Sequence, residues 1–127
     1  MIIRTMESED VAEIAQLEKI CFSDPWSVNS ISSELENPLS YWLVAEEEGR
    51  VVGYVGSQSV LDGADMMNLA VSPDFRRQGI GEALVKALVA HLQKKGIIVL
   101  LLEVRASNAP AIALYQRLGF EQVGRRP

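Results

Sequence analysis

The sequence predicts a mixed α/β fold (an α+β mixed sheet), and three features predict it. The hydrophobic period changes from helical spacing before residue 38 to strand-like runs between residues 41 and 71. A long amphipathic stretch, Gly81 to Lys95, follows the last of those runs. A continuous apolar run begins at Ile97 directly after it, so the order strand, helix, strand implies a right-handed parallel crossover. The chain has 127 residues, which suits a single domain over residues 1–127.

Ile2 to Thr5 reads as a short strand, and a helix from about Ser8 to Phe22 follows. Ser8 is its expected N-cap, and Val11, Ile14, Leu17 and Cys21 share one face. Asp24-Pro25-Trp26-Ser27 breaks the chain. Ser27 then caps a second helix with the stripe Val28, Ile31 and Leu35, ended by Asn37-Pro38. Tyr41 to Glu47 and Val51 to Leu61 are strands joined at Glu48-Gly49. Asp62-Gly63 turns into a third strand from about Ala64 to Val71. These three are expected to be antiparallel. In the Gly81–Lys95 helix the core stripe is Leu84, Val85, Leu88 and Leu92, with Gly96 just past its end. Ile97 to Val104 reads as a strand buried on both faces. Asn108 caps a helix through Leu118, Pro110 sits in its first turn, Gly119 stops it, and Phe120 to Val123 is expected as a final strand.

Apolar residues are 48% and charged residues 23% of the chain, near the globular average, which excludes disorder and collagen-like repeats. The longest apolar run, Ile97 to Leu102, is far short of the roughly 20 residues that span a membrane. The first residues lack the basic and long apolar regions of a signal peptide. One cysteine and one histidine make neither an internal disulfide nor a structural zinc site, so no metal is expected and a reducing, cytoplasmic setting fits best. The net charge of −5 is uneven. Residues 1–70 carry three basic against thirteen acidic residues, and residues 71–127 carry nine against four. The acidic half argues against a nucleic-acid binder, and the split suits an anion held by the second half and a cation met by the first.

The segment Arg76-Arg77-Gln78-Gly79-Ile80-Gly81 lies between a strand and the start of the long helix. Glycines allow close backbone approach and positive φ, the helix start offers unpaired N–H groups, and two arginines add charge. Together they read as a phosphate cradle, although two glycines before a helix, taken alone, also make a plain turn. No Gly-Lys-Ser/Thr follows, as a P-loop requires, and Leu84 stands where a dinucleotide fingerprint has its third glycine.

With its neighbours, the run Asn68-Leu69-Ala70-Val71-Ser72-Pro73-Asp74-Phe75-Arg76-Arg77-Gln78-Gly79-Ile80-Gly81 resembles the acetyl-CoA signature of the GCN5-related N-acetyltransferase (GNAT) family. A second block, Leu102-Glu103-Val104-Arg105-Ala106-Ser107-Asn108, then Ala113-Leu114-Tyr115 and Leu118-Gly119-Phe120, resembles that family's next motif in its ribosomal-protein-alanine N-acetyltransferase branch. The resemblance extends more weakly to Phe22, Pro25-Trp26 and Tyr54. It implies the family's acyl-CoA N-acyltransferase fold, with acetyl-CoA as cosubstrate. It also implies that main-chain groups of Leu69, Ala70 and Val71 bind the pantetheine arm. Arg76, Arg77, Gln78, Gly79, Ile80 and Gly81, with Glu82 in the first turn beyond, would hold the pyrophosphate. Asn108 would meet the cofactor near the departing thiol, Glu103 would be the general base and Tyr115 the general acid.

The chemistry is consistent with those roles. Acyl transfer needs a neutral amine, and an α-amino group has a pKa of about 8 against about 10.4 for lysine. Glu103 follows an apolar strand expected to desolvate it in part, which would make it a better base. A phenol with a pKa near 10 can protonate a leaving thiolate. Tyr115 and Asn108 are separated by about two helical turns and so share a face. A backbone N–H near Val71 is the natural donor to the attacked carbonyl. Plainer readings stand beside each. Glu103 could pair with Arg105 or Arg117, Tyr115 could edge the core, and Asn108 is an N-cap in any case. Cys21 reads as core filler with no positive neighbour in sequence, His91 as a surface residue, and Glu46-Glu47-Glu48 as a solvated hairpin tip. Met66 and Met67 fall on opposite faces, and Trp26, Tyr41 and Trp42 serve packing or a groove wall.

Relatives in this branch usually continue past two arginines such as Arg125-Arg126 into an aromatic loop and one more strand, so the C-terminal strand is apparently missing here. An open edge beside the Glu103 strand would follow, and with it self-association as a homodimer. The resemblance favours a basic protein N-terminus as acceptor, such as a ribosomal protein's. A small-molecule amine or lysine acceptor, and a non-catalytic acetyl-CoA-binding or interaction module, are the alternatives.

Overall fold

Local chemistry sets most of the element boundaries. The computed structural model describes residues 1–104 and 107–123. Strand β1 (Ile2–Thr5) leads into a 3-10 turn (Ser8–Asp10) and helix α1 (Val11–Cys21). The expected cap at Ser8 is not the one used. Glu7 and Asp10 close a reciprocal capping box instead, because the chain first makes a tighter turn. Helix α2 (Val28–Glu36) is capped by Ser27, whose Oγ accepts from Ser30 N at 3.1 Å. Strands β2 (Ser40–Glu47) and β3 (Arg50–Val60) enclose Glu48 and Gly49 with φ of 52° and 78°, the double left-handed turn a tight hairpin needs. Between β3 and β4 (Gly63–Val71) the two turn residues are Leu61 and Asp62, one position earlier than the expected Asp62-Gly63. Leu61 takes φ 57° and is 94% exposed. A second 3-10 turn, Pro73–Phe75, leads to α3 (Ile80–Lys94), then β5 (Val99–Leu102) and α4 (Ala109–Arg117).

The five strands form one sheet in the order β1-β2-β3-β4-β5. The first four are antiparallel and β5 runs parallel to β4, as the crossover required. One face of the sheet, through Trp42, Val44, Tyr54 and Ala70, packs on Val11, Ile14, Leu17 and Ile31 of α1 and α2. The other face, through Leu43, Ala45, Val52, Val55 and Met66, packs on Ile80, Leu84, Val85, Leu88 and Leu92 of α3. The expected α3 stripe is therefore the one buried. Gly53 lets α3 sit close, since a Cβ there would lie 3.3 Å from both Ile80 and Leu84 side chains.

Register breaks once within β4. Gly56 faces Asn68 and Ser57 faces Met66, leaving Met67 as an extra residue. The bulge changes the phase of the strand. Ala64 and Met66 face α3 before it, whereas Ala70 faces α1 after it. Pairing with β5 ends at the same place, at Met66 with Leu102.

Two expectations fail here. β5 is not buried on both faces, because Leu100 and Leu102 pack toward α3 while Val99 and Leu101 are 47% and 50% exposed. The α1–α2 cluster packs on β2, β3 and the Ala70 end of β4, whereas β5 pairs with the Gly63–Met66 end of β4. Phe120 to Val123 forms no strand either. Phe120 instead turns back onto Tyr115, ring edge to face at 5.7 Å, and its N–H donates to Tyr115 O.

Candidate functional site

The candidate site lies where β4, α3 and α4 converge. Arg77 and Gly79 take φ of 64° and 77°, so the loop before α3 turns back on itself twice within three residues. α2 and α4 begin with side-chain caps, on Ser27 and Asn108. α3 begins at Gly79 with no side-chain cap, and its first main-chain bond is Ala83 N to Gly79 O at 3.0 Å. The N–H groups of Ile80, Gly81 and Glu82 thus have no intrahelical acceptor, and the dipole's positive end lies among them. Buried Ile80 holds this exposed turn to the core. Space is left open: a Cβ on Gly79 would meet nothing within 4 Å, and one on Gly81 would lie 3.7 Å from Val71 and 3.9 Å from Leu114. An anionic phosphate group fits such a start.

β4 supplies the adjoining wall. Beyond Met66 it has no strand partner on the β5 side among the described residues. Ser72 N donates to Val52 O at 2.7 Å, so alternation along the strand turns the Val71 N–H the other way, toward the gap. Leu69 and Val71 pack with the α3 side, whereas Ala70 is buried toward α1. The Arg76 guanidinium, expected beside the phosphates, donates through Nε to Val71 O at 3.3 Å and lies 3.7 Å from Cys21 Sγ. Cys21 packs against the core as expected, yet it has a positive neighbour that sequence proximity did not reveal. Gln78 is exposed. Glu82 Oε1 accepts from Arg117 Nε at 3.2 Å, a bridge between α3 and α4 that offsets its charge beside the cradle.

Glu103 follows β5 and is exposed, so the expected desolvation is not found. The reason is the one-sided cover of β5. The Arg105 pairing proposed for it lies outside the described residues, as do Arg125 and Arg126. Asn108 Oδ1 accepts from Ala111 N at 3.2 Å, which is the cap expected of it. Tyr115 is half-buried against Phe120, and burial pushes its phenol above the ordinary value, so it holds its proton at neutral pH. Two open concavities lie away from the cradle, one between α3 and Leu118–Phe120 and one beneath β5.

Several polar groups escaped sequence reading. Glu18, 1% exposed on α1, accepts from Trp26 N at 2.8 Å, Asn68 Nδ2 at 3.0 Å and the Tyr54 hydroxyl. Glu34 on α2 accepts from Trp42 Nε1, Ser40 Oγ and Gln58 Nε2. His91 is not a free surface residue, since its ring stacks on Tyr41 with centroids 3.5 Å apart. Burial and the nearby Lys95 and Lys94 hold its pKa down. For Glu18 a signal existed: it stands four residues after Ile14, on the apolar face of its helix.

Comparison with known proteins agrees with this fold. The chain is 40% identical over 121 residues to the ribosomal protein bS18-alanine N-acetyltransferase of Escherichia coli (strain K12), covering 94% of this chain and 80% of that one. A crystal structure of the ribosomal-protein-S18-alanine N-acetyltransferase from Escherichia coli superposes with a TM-score of 0.90 at 37% identity, over 97% of this chain and 79% of that one. The ribosomal-protein-alanine N-acetyltransferase from Brucella melitensis superposes with a TM-score of 0.87 at 25% identity, over 98% and 86%. The acetyltransferase (GNAT) family profile matches residues 11–120. A five-stranded mixed sheet that parts beyond Met66, an uncapped helix start beside the gap, and a family match across most of the length lead to one conclusion: this chain belongs to the acetyltransferase (GNAT) family.

Proposed function

We propose that this protein, a single N-acetyltransferase domain, moves an acetyl group from acetyl-CoA to the α-amino group of a protein N-terminus. The acceptor is a basic, alanine-starting protein such as a ribosomal protein. The observation that carries the reading is the start of α3, where three main-chain N–H groups lacking intrahelical acceptors stand beside the gap in β4. The named activity of relatives at 37–40% identity supports the choice of acceptor. In this reading Arg76, Arg77, Gln78, Gly79, Ile80, Gly81 and Glu82 hold the pyrophosphate, mainly through main-chain groups. Leu69, Ala70 and Val71 bind the pantetheine arm, and the Asn108 amide nitrogen meets the cofactor near the thiol. The neutral amine attacks the thioester carbonyl, whose developing charge is stabilised by the Val71 N–H. A C–N bond forms and the C–S bond breaks. Glu103 accepts the amine proton, directly or through a water, and Tyr115 protonates the leaving thiolate. Both the proposed acceptor and acetyl-CoA support a cytoplasmic reaction.

The test is acetyl-CoA with an alanine-starting basic peptide. The expected result is thiol release together with an acetyl group on the peptide's first nitrogen by fragment mass spectrometry. Transfer only to a polyamine or an internal lysine would favour the small-amine or lysine reading. Acetyl-CoA binding by calorimetry without turnover of any amine would favour a binding module.

One observation supports a second, independent feature of this reading. Ile98, Val99 and Leu101 are 76%, 47% and 50% exposed on the β5 edge, which suits self-association as a homodimer through that edge. Light scattering that returns only monomer at high concentration would overturn it.

A further inference from the structure

A carboxylate buried in an apolar cluster is costly, and this one has no salt bridge among the described residues. Glu18 is instead surrounded by neutral donors, each from a different part of the chain. Trp26 N–H belongs to the connection between α1 and α2, the Tyr54 hydroxyl to β3, and the Asn68 amide to β4, one residue past the bulge. The phase change at Met67 is what turns Asn68 toward α1 rather than α3. The same α1 ends on the gap itself, where Cys21 Sγ lies 3.8 Å from Val71 O. The connection over residues 22–27 therefore starts at the end of β4, on the face opposite α3. Burial raises the Glu18 pKa, and the hydrogen bonds from Trp26 N–H and Asn68 oppose that rise in part.

We propose that Glu18 is a positioning residue. By bonding to both Trp26 N–H and Asn68 it fixes residues 22–27 against the unpaired end of β4, and so sets where an acceptor amine meets the thioester carbonyl. Any buried carboxylate needs donors; what points beyond the core is that two of these, Trp26 N–H and the Asn68 amide, tie the α1–α2 connection to the β4 residue next to the bulge. The proposal rests on the acyl-transfer reading above. It concerns the acceptor side, because the cradle at the start of α3 lies on the other face of the sheet.

The experiment compares wild type, Glu18→Gln, Tyr54→Phe and the double variant Glu18→Gln/Asn68→Asp. In the double variant a Gln amide can donate to an Asp carboxylate while its oxygen still accepts from Trp26 N–H. Glu18→Gln is expected to lower kcat/KM for an alanine-starting peptide about tenfold, as misplaced reactants do, with acetyl-CoA affinity by calorimetry unchanged. Tyr54→Phe, which keeps the carboxylate, is expected to lose less, and the double variant to recover most of the loss. Hydrogen exchange over residues 22–27, read without acceptor, should speed up in Glu18→Gln while α3 stays protected. Unchanged exchange, or peptide and acetyl-CoA affinities falling together with no rescue, would overturn the positioning role. Inactivity of wild type on the peptide would overturn the acceptor reading, while the exchange result would still decide whether Glu18 fixes the connection.

Discussion

The two halves of this molecule treat their polar groups in opposite ways. In the first half, β2 pairs with β3 from Ser40 to Glu47 around a single bulge at Val52, α2 starts on a side-chain cap, and the buried carboxylates Asp10, Glu18 and Glu34 all have donors. In the second half α3 starts without a cap, β4 loses its neighbour after Met66, and the four-residue β5 leaves alternate side chains exposed. The comparison teaches a division of labour. Hydrogen-bonding groups can be held ready for a ligand only where a fully satisfied neighbour keeps them in place.

The largest expected effect comes from breaking the satisfied half. A Cβ on Gly56 would lie 2.4 Å from the Trp42 ring, which also packs at 5.5 Å from Trp26 and 5.8 Å from Tyr54. Gly56→Val should cost about 3 kcal/mol, read from urea unfolding. A loss near zero would mean that the aromatic stack is adaptable and the contrast overdrawn. The open half should respond differently. Gly79→Ala meets no steric obstacle but must hold φ 77°, so unfolding free energy should fall by about 1 kcal/mol. Acetyl-CoA binding, measured by calorimetry, should weaken by more than that stability loss accounts for.

Two carboxylates of the satisfied half sharpen the contrast through pH. Hydrogen bonding to the Arg4 guanidinium holds Asp10 below its ordinary 3.8, so its stabilisation is present above that value and lost as pH falls through the lower folded-state value. Glu18 has the opposite sign. Burial raises it above 4.5, so the folded chain takes up the proton first, and stability declines as pH rises from 4.5 through the folded-state value. Urea midpoints followed from acid to neutral pH should lose the acid limb in Asp10→Asn and the upper decline in Glu18→Gln. The smallest effect is expected at the border of the halves. Arg117→Ala leaves Glu82 without its α4 partner beside the cradle and should weaken acetyl-CoA binding about twofold, an effect that added salt should erase.

What sequence reveals follows from how local the cause is. The α3 stripe, the Glu48-Gly49 turn and the caps at Ser27 and Asn108 depend on residues within one or two turns, and all were legible. The left-handed turn at Gly79 before α3 was legible because glycine spacing before a helix is itself local. Errors arose where a distant partner decides. Burial of β5 depends on what covers it. The Arg76 side chain turned to Val71 and Cys21, and His91 met a ring fifty residues earlier. Glu18 and Glu34 look like ordinary helix acids until the sheet brings their donors to them. The roles proposed for Glu103 and Tyr115 rest on motif resemblance, which spacing between the two blocks made legible.

Met67 is the hinge between the two halves. Because the strand absorbs it as a surplus position, removing it would leave every later side chain of β4 on its present face. What would change is the path of the backbone, which could then continue alongside β5 instead of parting from it. A one-residue deletion at this point should therefore give a chain that folds at least as well as its parent, zipped shut along the seam where the thioester would enter, and catalytically silent.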